Sequence, residues 1–298
     1  MSEKVSIIIP SFGDGSNPRR AINSVFNQSY ENVEVIFVDD NGKDTNQQKK
    51  NEEELKDLFL LPNFKYIINE RNMGGSASRN IGVANSSGYY VCFLDDDDEF
   101  IDCNKISKQV EISSKLNDEY AGTFSSLHIF NGKKKKIIKA KKNRNFLINF
   151  LRGSTSIGTA APIIKRKCFD SIGGFDPSFI RHQDWEFFAR LIDNFKLYPV
   201  SEVYYNRYYK QGVAKKPADI RLKYMDHFAE SMRINLHSIS SKRIEKELKR
   251  KYKQVVFVFF REKRFKDGIN VCRKNKYNFF DYIGLFCSIN AYFLKKIF

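Results

Sequence analysis

Tyr89-Tyr90-Val91-Cys92-Phe93-Leu94-Asp95-Asp96-Asp97-Asp98-Glu99 is the stretch on which the reading of this chain turns. Six mostly apolar or aromatic residues run directly into four consecutive aspartates. The first half has the length and composition of a buried strand. The second half resists burial, because neighbouring like charges repel and an unpaired carboxylate is costly to desolvate. The strand therefore ends at a solvent-facing edge where a cation belongs. Oxygen ligands of this kind suit a hard ion such as Mg²⁺ or Mn²⁺. An acidic loop that caps the following helix is the plainer alternative, and the flanking sequence decides between the two.

Upstream, Val5-Ser6-Ile7-Ile8-Ile9-Pro10 is a near-continuous β-branched run, as in a strand covered on both faces. A polar turn, Ser11–Ser16, follows. Asn17-Pro18 then places a cap before a proline at the first helical position. Ala21, Ile22, Val25 and Phe26 make the inward stripe of that helix. Glu34-Val35-Ile36-Phe37-Val38-Asp39-Asp40 is a second buried strand that also ends in carboxylates. Asn41–Asn51 is too polar for core, Glu52–Leu61 is a helix candidate, and Phe64–Ile68 is a short third strand. Met73-Gly74-Gly75 introduces a helix over residues 76–85.

Alternating strands and helices describe an α/β unit with a parallel sheet. Ligands of such sheets lie beyond the carboxyl ends of the strands. Ser11–Asp14, Asp39-Asp40 and Asp95–Asp98 fall at three such ends, and this convergence outweighs any single acidic cluster. No Gly-x-Gly-x-x-Gly or Gly-Lys-Ser/Thr stretch is present, which excludes the dinucleotide fingerprint and the P-loop.

The 298 residues suffice for one large domain plus an appendage, and 42% hydrophobic content excludes a disordered chain. Five cysteines with no Cys-x-x-Cys predict a reducing compartment without structural zinc. The chain opens almost directly into a strand, so no signal peptide is expected. No uncharged apolar run reaches the roughly 18 residues of a membrane span. Residues 204–298 hold 23 Lys and Arg against 8 Asp and Glu, whereas residues 1–203 hold 28 against 27. The formal net charge of +16 therefore belongs to the C-terminal third, a docking surface for a polyanion or an anionic membrane.

Val5–Pro10 with its following loop, Val35–Asp40, Asn69–Asn80 and Phe93–Asp98 together resemble the nucleotide-binding half of a family 2 glycosyltransferase. The resemblance continues through Gly158–Lys165, Gly173-Gly174-Phe175-Asp176 and Gln183-Asp184-Trp185-Glu186, covering roughly residues 3–210. It implies a Rossmann-like glycosyltransferase A fold: a mostly parallel central sheet flanked by helices, here with a helical C-terminal extension over 211–298. It also implies a nucleotide-diphospho-sugar donor, a divalent metal and inversion at the anomeric carbon, in the service of bacterial surface polysaccharide.

By the same resemblance, Pro10, Ser11 and Phe12 line the nucleotide. Asp40, with Asp39 beside it, reads the base. A carboxylate accepts the imide N–H of uracil, which favours UDP. Asp95, Asp96 and Asp97 match an Asp-x-Asp element, with Asp97 the metal ligand and Asp95 near the ribose or metal. Asp98 is a fourth carboxylate of less fixed role. Arg79 reaches the nucleotide or holds the acids by an ion pair. Asp184 is the general base, with His182 and Glu186 as rivals and a helix cap as the plain alternative. Thr159 is a candidate for the sugar site. Two departures stand out. Phe12-Gly13-Asp14 replaces the usual Tyr-Asn, and Gln183 stands where an acid often precedes the base.

Asn104–Leu116 reads as helix and Tyr120–Phe130 as strand, and Asn131-Gly132 is a turn signal. Lys133–Lys136 is most simply a solvated hairpin edge, its alternative a grip on an acidic substrate. Phe146–Leu151 is apolar and Ala160–Ile164 a strand. Trp185–Phe195 is an amphipathic helix in which Trp185 packs in the core or stacks on an acceptor sugar. Val200–Tyr205 is strand-like. Arg221–His237 and Lys242–Arg261 are helices. Tyr282–Leu294 is an uncharged stretch suited to a membrane interface or to helix packing.

The expectation is thus a hexosyl- or N-acetylhexosaminyltransferase that uses Mn²⁺ or Mg²⁺ and a UDP-sugar. Its acceptor is a saccharide, free or carried on a polyprenyl diphosphate. Its place is the cytoplasm or the inner face of the membrane, with 211–298 meeting lipid or a second copy. Nucleic acid is not an expected partner. A metal-dependent nucleotidyltransferase and a non-enzymatic polyanion-binding protein are the alternatives.

Overall fold

The computed structural model describes residues 2–14, 17–209, 216–278 and 281–282. The chain divides into two compact units, Met1–Phe146 with Ser156–Gly212 and Leu147–Thr155 with Val213–Phe298.

The first unit opens with β1 (Val5–Ser11), α1 (Pro18–Phe26), β2 (Val33–Asp39) and α2 (Asn46–Leu55). A short 3-10 turn at Lys56–Leu60 leads to β3 (Phe64–Ile68), α3 (Gly75–Ala84) and β4 (Tyr90–Phe93). Here the pattern of apolar runs dictates the layers. All seven residues of β2 are buried, and in β1 only Pro10 is not. Asn17 caps α1 by accepting the Arg20 N–H at 3.0 Å, and Ala21, Ile22 and Val25 turn inward. Parallel pairing sets Ile7 of β1 against Val35 of β2 and Cys92 of β4, and Val35 against Phe64 of β3.

Helix α2 starts earlier than its composition predicts, at Asn46 rather than near Glu52. Thr45 caps it by accepting the Gln48 N–H. Gln48 and Asn51 are buried because their amides are satisfied, Asn51 by donating to Asp39 at 2.8 Å.

Beyond β4 the architecture changes. β5 (Glu99–Phe100) and α4 (Lys105–Ser114) precede a hairpin of β6 (Tyr120–Asn131) and β7 (Lys134–Ile138). Then come α5 (Phe146–Arg152), β8 (Pro162–Lys165), α6 (Arg166–Ser171), α7 (Gln183–Asn194) and β9 (Lys196–Tyr208). The sheet order is β3-β2-β1-β4-β8-β6-β9-β5, with β7 on β6. β8 is antiparallel to both β4 and β6, β7 is antiparallel to β6, and β5 is antiparallel to β9, while β6 and β9 are parallel.

The mostly parallel sheet expected from the first half is therefore corrected to a mixed one. Sequence alternation reports where strands lie, not how distant strands pair, and β8 enters between β4 and β6 antiparallel to both. The sheet also curls into a half-barrel. β5 follows β4 after five residues yet pairs on the far side of β9, and register shifts in the β6–β9 ladder supply the bending.

The second unit contains α5 from Leu147 onward, α8 (Ala218–Asn235), α9 (Ser241–Arg261) and α10 (Phe265–Lys274). Its core includes Phe150, Phe228, Met232, Leu248, Val256 and Phe259. Glu247 is fully buried within it, balanced by Arg152 at 3.0 Å and Arg250 at 2.7 Å. Among the described residues no helix is long and apolar enough to cross a membrane. The Tyr282–Leu294 stretch, apart from Tyr282, lies outside the described residues.

Candidate active site

The parallel half of the sheet delivers its carboxylates to one end. Asp39 is level with Ser11, and Phe93 is level with Ile8, so Asp95 follows two residues beyond β4 on the same side. The two acids that end β2 have different surroundings. Asp39 is wholly buried, and Asn41 donates to its Oδ1 from both backbone and side chain, at 3.0 and 2.8 Å. Asn51 and Tyr66 donate to its Oδ2 at 2.8 and 2.7 Å. A carboxylate has about four acceptor positions, so Asp39 is filled and fixes the loop that carries its neighbour. Burial and the Asp39 charge together push the Tyr66 phenol pKa upward.

Asp40 Oδ1 takes N–H groups from Asn69 and Met73, both at 2.7 Å, and its Oδ2 takes Gly74 N–H at 2.9 Å. One acceptor position is left on Oδ2. Gly74 reaches this place at φ +85°, a conformation that disfavours a side chain. Pro10 is part-buried, Ser11 is buried, and Phe12 stands 58% exposed after them.

The acidic tetrad is a turn closed by the Asp98 N–H to the Asp95 carbonyl at 3.0 Å. Asp96 and Asp98 are buried, whereas Asp95 and Asp97 are part-exposed. Asp98 accepts the Tyr208 N–H at 2.9 Å. Burial, reinforced by the charges of Asp95 and Asp97, pushes its carboxyl up to about 9. Arg79 on α3 pairs with Asp95 at 2.7 Å, donates to Gln183 Oε1 at 3.1 Å and lies 5.4 Å from the Phe175 ring. Gln183 is thereby linked to the acidic turn through one guanidinium, and Asp184 is the next residue along.

Asp184 occupies the first turn of α7, part-exposed, and its Oδ1 accepts the Trp185 N–H at 2.9 Å. His182 caps this helix from a left-handed backbone (φ +65°), its ring 5.7 Å from that of Trp185. Glu186 is 1% exposed and tied to Arg190 by contacts of 2.6 and 2.7 Å. Arg190 also bonds the Ile172 and Gly174 carbonyls, so this pair braces the Gly173-Gly174 turn. Thr159 is buried, one residue after Gly158.

Two site residues had no role in the sequence reading. Arg207 on β9 lies where the fields of Asp95 and Asp184 overlap. Those acids, together with Tyr205, raise its pKa against the opposing effect of burial. Tyr205 is fully buried with a hydroxyl that makes no hydrogen bond, and its pKa is pushed well up by burial. The basic-aromatic string of residues 204–209 was visible in the sequence. What places Arg207 in the site is the pairing of β9 beside β5 and β6. The Ser11 hydroxyl, the Arg79 Nε and the Tyr205 hydroxyl are all buried without partners. Buried polar atoms without partners are exceptions that call for a water, an ion or a ligand.

Fold and site define an α/β protein with an acidic centre at the carboxyl ends of its strands. The model of glycosyl transferase family 2 matches residues 6–169, and the chain belongs to that family. An uncharacterized glycosyltransferase of Rickettsia bellii (strain RML369-C) is 30% identical over 211 residues, covering 68% of this chain and 28% of the relative. The amylovoran biosynthesis glycosyltransferase AmsB of Erwinia amylovora is 28% identical over 192 residues, covering 62% of each chain. The chain thus spans less than two thirds of these relatives. Among solved structures, S. aureus TarS 1-349 in complex with UDP-GlcNAc aligns with a TM-score of 0.63 and 17% identity, over 86% of this chain and 72% of that one. The mannosyltransferase PcManGT from Pyrobaculum calidifontis, in complex with GDP-Man and Mn²⁺, gives 0.61 and 11%, over 98% and 81%. At these identities the structural likeness concerns the fold.

Proposed function

We propose that this chain transfers a sugar, with inversion, from a UDP-linked donor to a saccharide hydroxyl during surface-polysaccharide synthesis. Family membership supports the reaction class. The name of the Erwinia relative supports the polysaccharide setting. The observation that carries the reading is Arg79, which pairs with Asp95 at 2.7 Å and donates to Gln183, the residue before Asp184, at 3.1 Å. One guanidinium thus ties the strand-end acidic turn to the start of α7, an arrangement that supports a donor site beside an acceptor base.

In this reading Asp40 takes the uracil imide N–H on its remaining acceptor position, while Asp39 holds the loop. Ser11 and Phe12 line the nucleoside. Arg79 fixes Asp95, and Asp96 stabilises the turn or meets the nucleotide. Among the described residues no group of three or more His, Cys, Asp or Glu side chains is placed to hold a metal. Asp97 and Asp95 nevertheless fit a mode of binding in which one or two carboxylates hold an ion whose other positions go to phosphate and water. A cation there would also offset the mutual repulsion of the Asp95 and Asp97 charges. Mg²⁺ or Mn²⁺ held there supplies charge neutralisation at the departing diphosphate.

Asp184 removes the acceptor proton, which makes the hydroxyl a competent nucleophile. Glu186 cannot share this task while buried against Arg190. Arg207 offsets the repulsion between Asp184 and Asp95 and offers positive charge toward the diphosphate. Residues 1–210 carry the catalysis. The basic region 211–298 associates with an anionic membrane surface on its cytoplasmic side, where a polyprenyl-linked acceptor resides.

A panel of UDP-, GDP- and dTDP-sugars, screened for hydrolysis and for transfer to oligosaccharides with and without chelator, tests the reading. Turnover of a UDP-sugar is expected. If no nucleotide-sugar is turned over or bound, the reading fails.

A further inference from the structure

The near neutrality of the N-terminal two thirds hides a segregation of charge. Residues 120–169 carry 12 Lys and Arg and no Asp or Glu, whereas the other residues of 1–203 carry 16 against 27. The densest part is Lys133-Lys134-Lys135-Lys136, with Lys139, Lys141, Lys142 and Arg144 close behind. All eight are exposed, and among the described residues no ion pair joins any of them to a carboxylate.

Strand register places the β7 part of this run two strands from Arg207. Lys136 of β7 is level with Ile129 of β6, which is level with Arg207 of β9. Residues level with one another share a face of a sheet, and alternation puts Lys134 on that face as well. Lys134 and Lys136 therefore stand on the same face as Arg207, about two strand spacings or 10 Å away. On the opposite face, Lys135 lies 5.5 Å from the Phe130 ring, Phe130 stacks on Tyr208 at 5.1 Å, and Arg20 lies 4.5 Å from Tyr208. Cations and rings alternate along this path to the acidic turn, where the Tyr208 N–H meets Asp98.

We propose that the β6–β7 hairpin and residues 139–144 dock the acceptor, and that the acceptor is a polyanionic glycan bearing phosphate or carboxylate along its chain. The proposal rests on the transferase reading above and adds the substrate class. Lysine ammoniums are point charges on flexible stems, without the fixed fork of arginine. They suit a chain whose successive repeats must pass the site without being locked in one register. Edge lysines also discourage strand-to-strand aggregation. That role accounts for Lys134 and Lys136 but not for Lys139–Arg144, nor for the absence of any acid across 50 residues.

The test uses the full chain and two variants, K134Q/K136Q within β7 and K139Q/K141Q/K142Q outside it. Labelled poly(glycerol phosphate), polygalacturonate and neutral dextran are titrated by anisotropy at 50 and 200 mM salt. Phosphatidylserine vesicles and single-stranded DNA serve as competing partners. UDP binding and a thermal melt are recorded on each preparation. The expected result is binding of an anionic glycan but not dextran, weakened by salt. At least a tenfold loss is expected in each variant, with UDP binding and the melt unchanged. The phosphate and carboxylate arms identify which anion is preferred. Equal glycan binding by wild type and variants overturns the proposal. So does a loss confined to vesicles or DNA, which would assign the hairpin to those partners. A protein that binds UDP but no anionic glycan refutes this inference alone, and one that binds the glycan but no nucleotide-sugar refutes the transferase reading instead.

Discussion

Asp184 and Glu186 sit two residues apart on α7, and their surroundings give them separate work. Glu186 is buried and satisfied by Arg190, so its charge is already spent on bracing a turn. Asp184 is part-exposed at the start of the helix, beside the Gln183–Arg79–Asp95 chain. Asp184→Asn keeps the size and the acceptor oxygen toward Trp185 N–H but removes the basicity. Transfer at saturating donor and acceptor is expected to fall by roughly 10²-fold or more, with an unchanged melt and UDP-sugar affinity. A folded variant that keeps more than about a tenth of the turnover is incompatible with a general base at this position. Glu186→Gln should show the reverse pattern. Breaking a buried pair from one side costs about 3–5 kcal/mol, so the melt should drop before the chemistry does. His182→Ala, measured alongside, checks the remaining neighbour.

Gly158 shows how one element constrains another. A Cβ built there would lie 1.6 Å from the Tyr205 hydroxyl oxygen and 2.9 Å from the ring carbon that bears it. Gly158→Ala must therefore displace a fully buried tyrosine from beneath the site, with an expected cost of about 1–3 kcal/mol for overpacking. Tyr205→Phe removes the colliding atom, and because that hydroxyl has no partner its own cost should be small. The double variant should melt closer to wild type than Gly158→Ala alone, and strict additivity would show that the clash is relieved elsewhere. Such a contact is invisible in sequence, where residues 158 and 205 belong to unrelated motifs. The elements that were legible carry their own periodicity. β1 and β2 are runs of mostly apolar buried residues, β3 is a short apolar-rich strand in which Phe64 is buried, and α1 has its cap and stripe. α2 was misplaced because Asn51 and Gln48 look exposed until Asp39 and the helix cap provide their partners. The acids at strand ends were legible from position alone, whereas Arg207 needed the pairing of β9. The mixed order of the later strands depends on contacts between residues far apart in sequence, which no local pattern records.

At the scale of the whole molecule, charge and ligand linkage give two further expectations. The excess of 23 Lys and Arg over 8 Asp and Glu in residues 204–298 should draw the full chain to phosphatidylserine vesicles at low salt. Flotation should show less association at high salt and in a chain truncated after residue 210. Equal flotation of both forms would move the membrane contact out of the tail. The second expectation concerns the acidic turn, where Asp95 and Asp97 set two part-exposed carboxylates within one turn and a bound cation would offset their repulsion. If a metal bridges these acids to the donor, UDP and Mn²⁺ should stabilise the fold together and neither should do so fully alone. A ligand at 100 times its dissociation constant adds about 2.7 kcal/mol to the folded state, a rise on the order of 5–10 °C for a unit of this size. Chelator should abolish most of that rise in wild type. Asp97→Ala should keep the unliganded melting temperature, because its carboxylate is part-exposed, yet lose the metal-dependent part of the shift. A UDP shift of full size that ignores both chelator and Asp97→Ala would mean that the nucleotide is held by Asp40, Ser11 and Arg207 without a metal. The tetrad would then be an anionic wall that orients the donor, and Arg207 would be the chief counter-charge to the diphosphate.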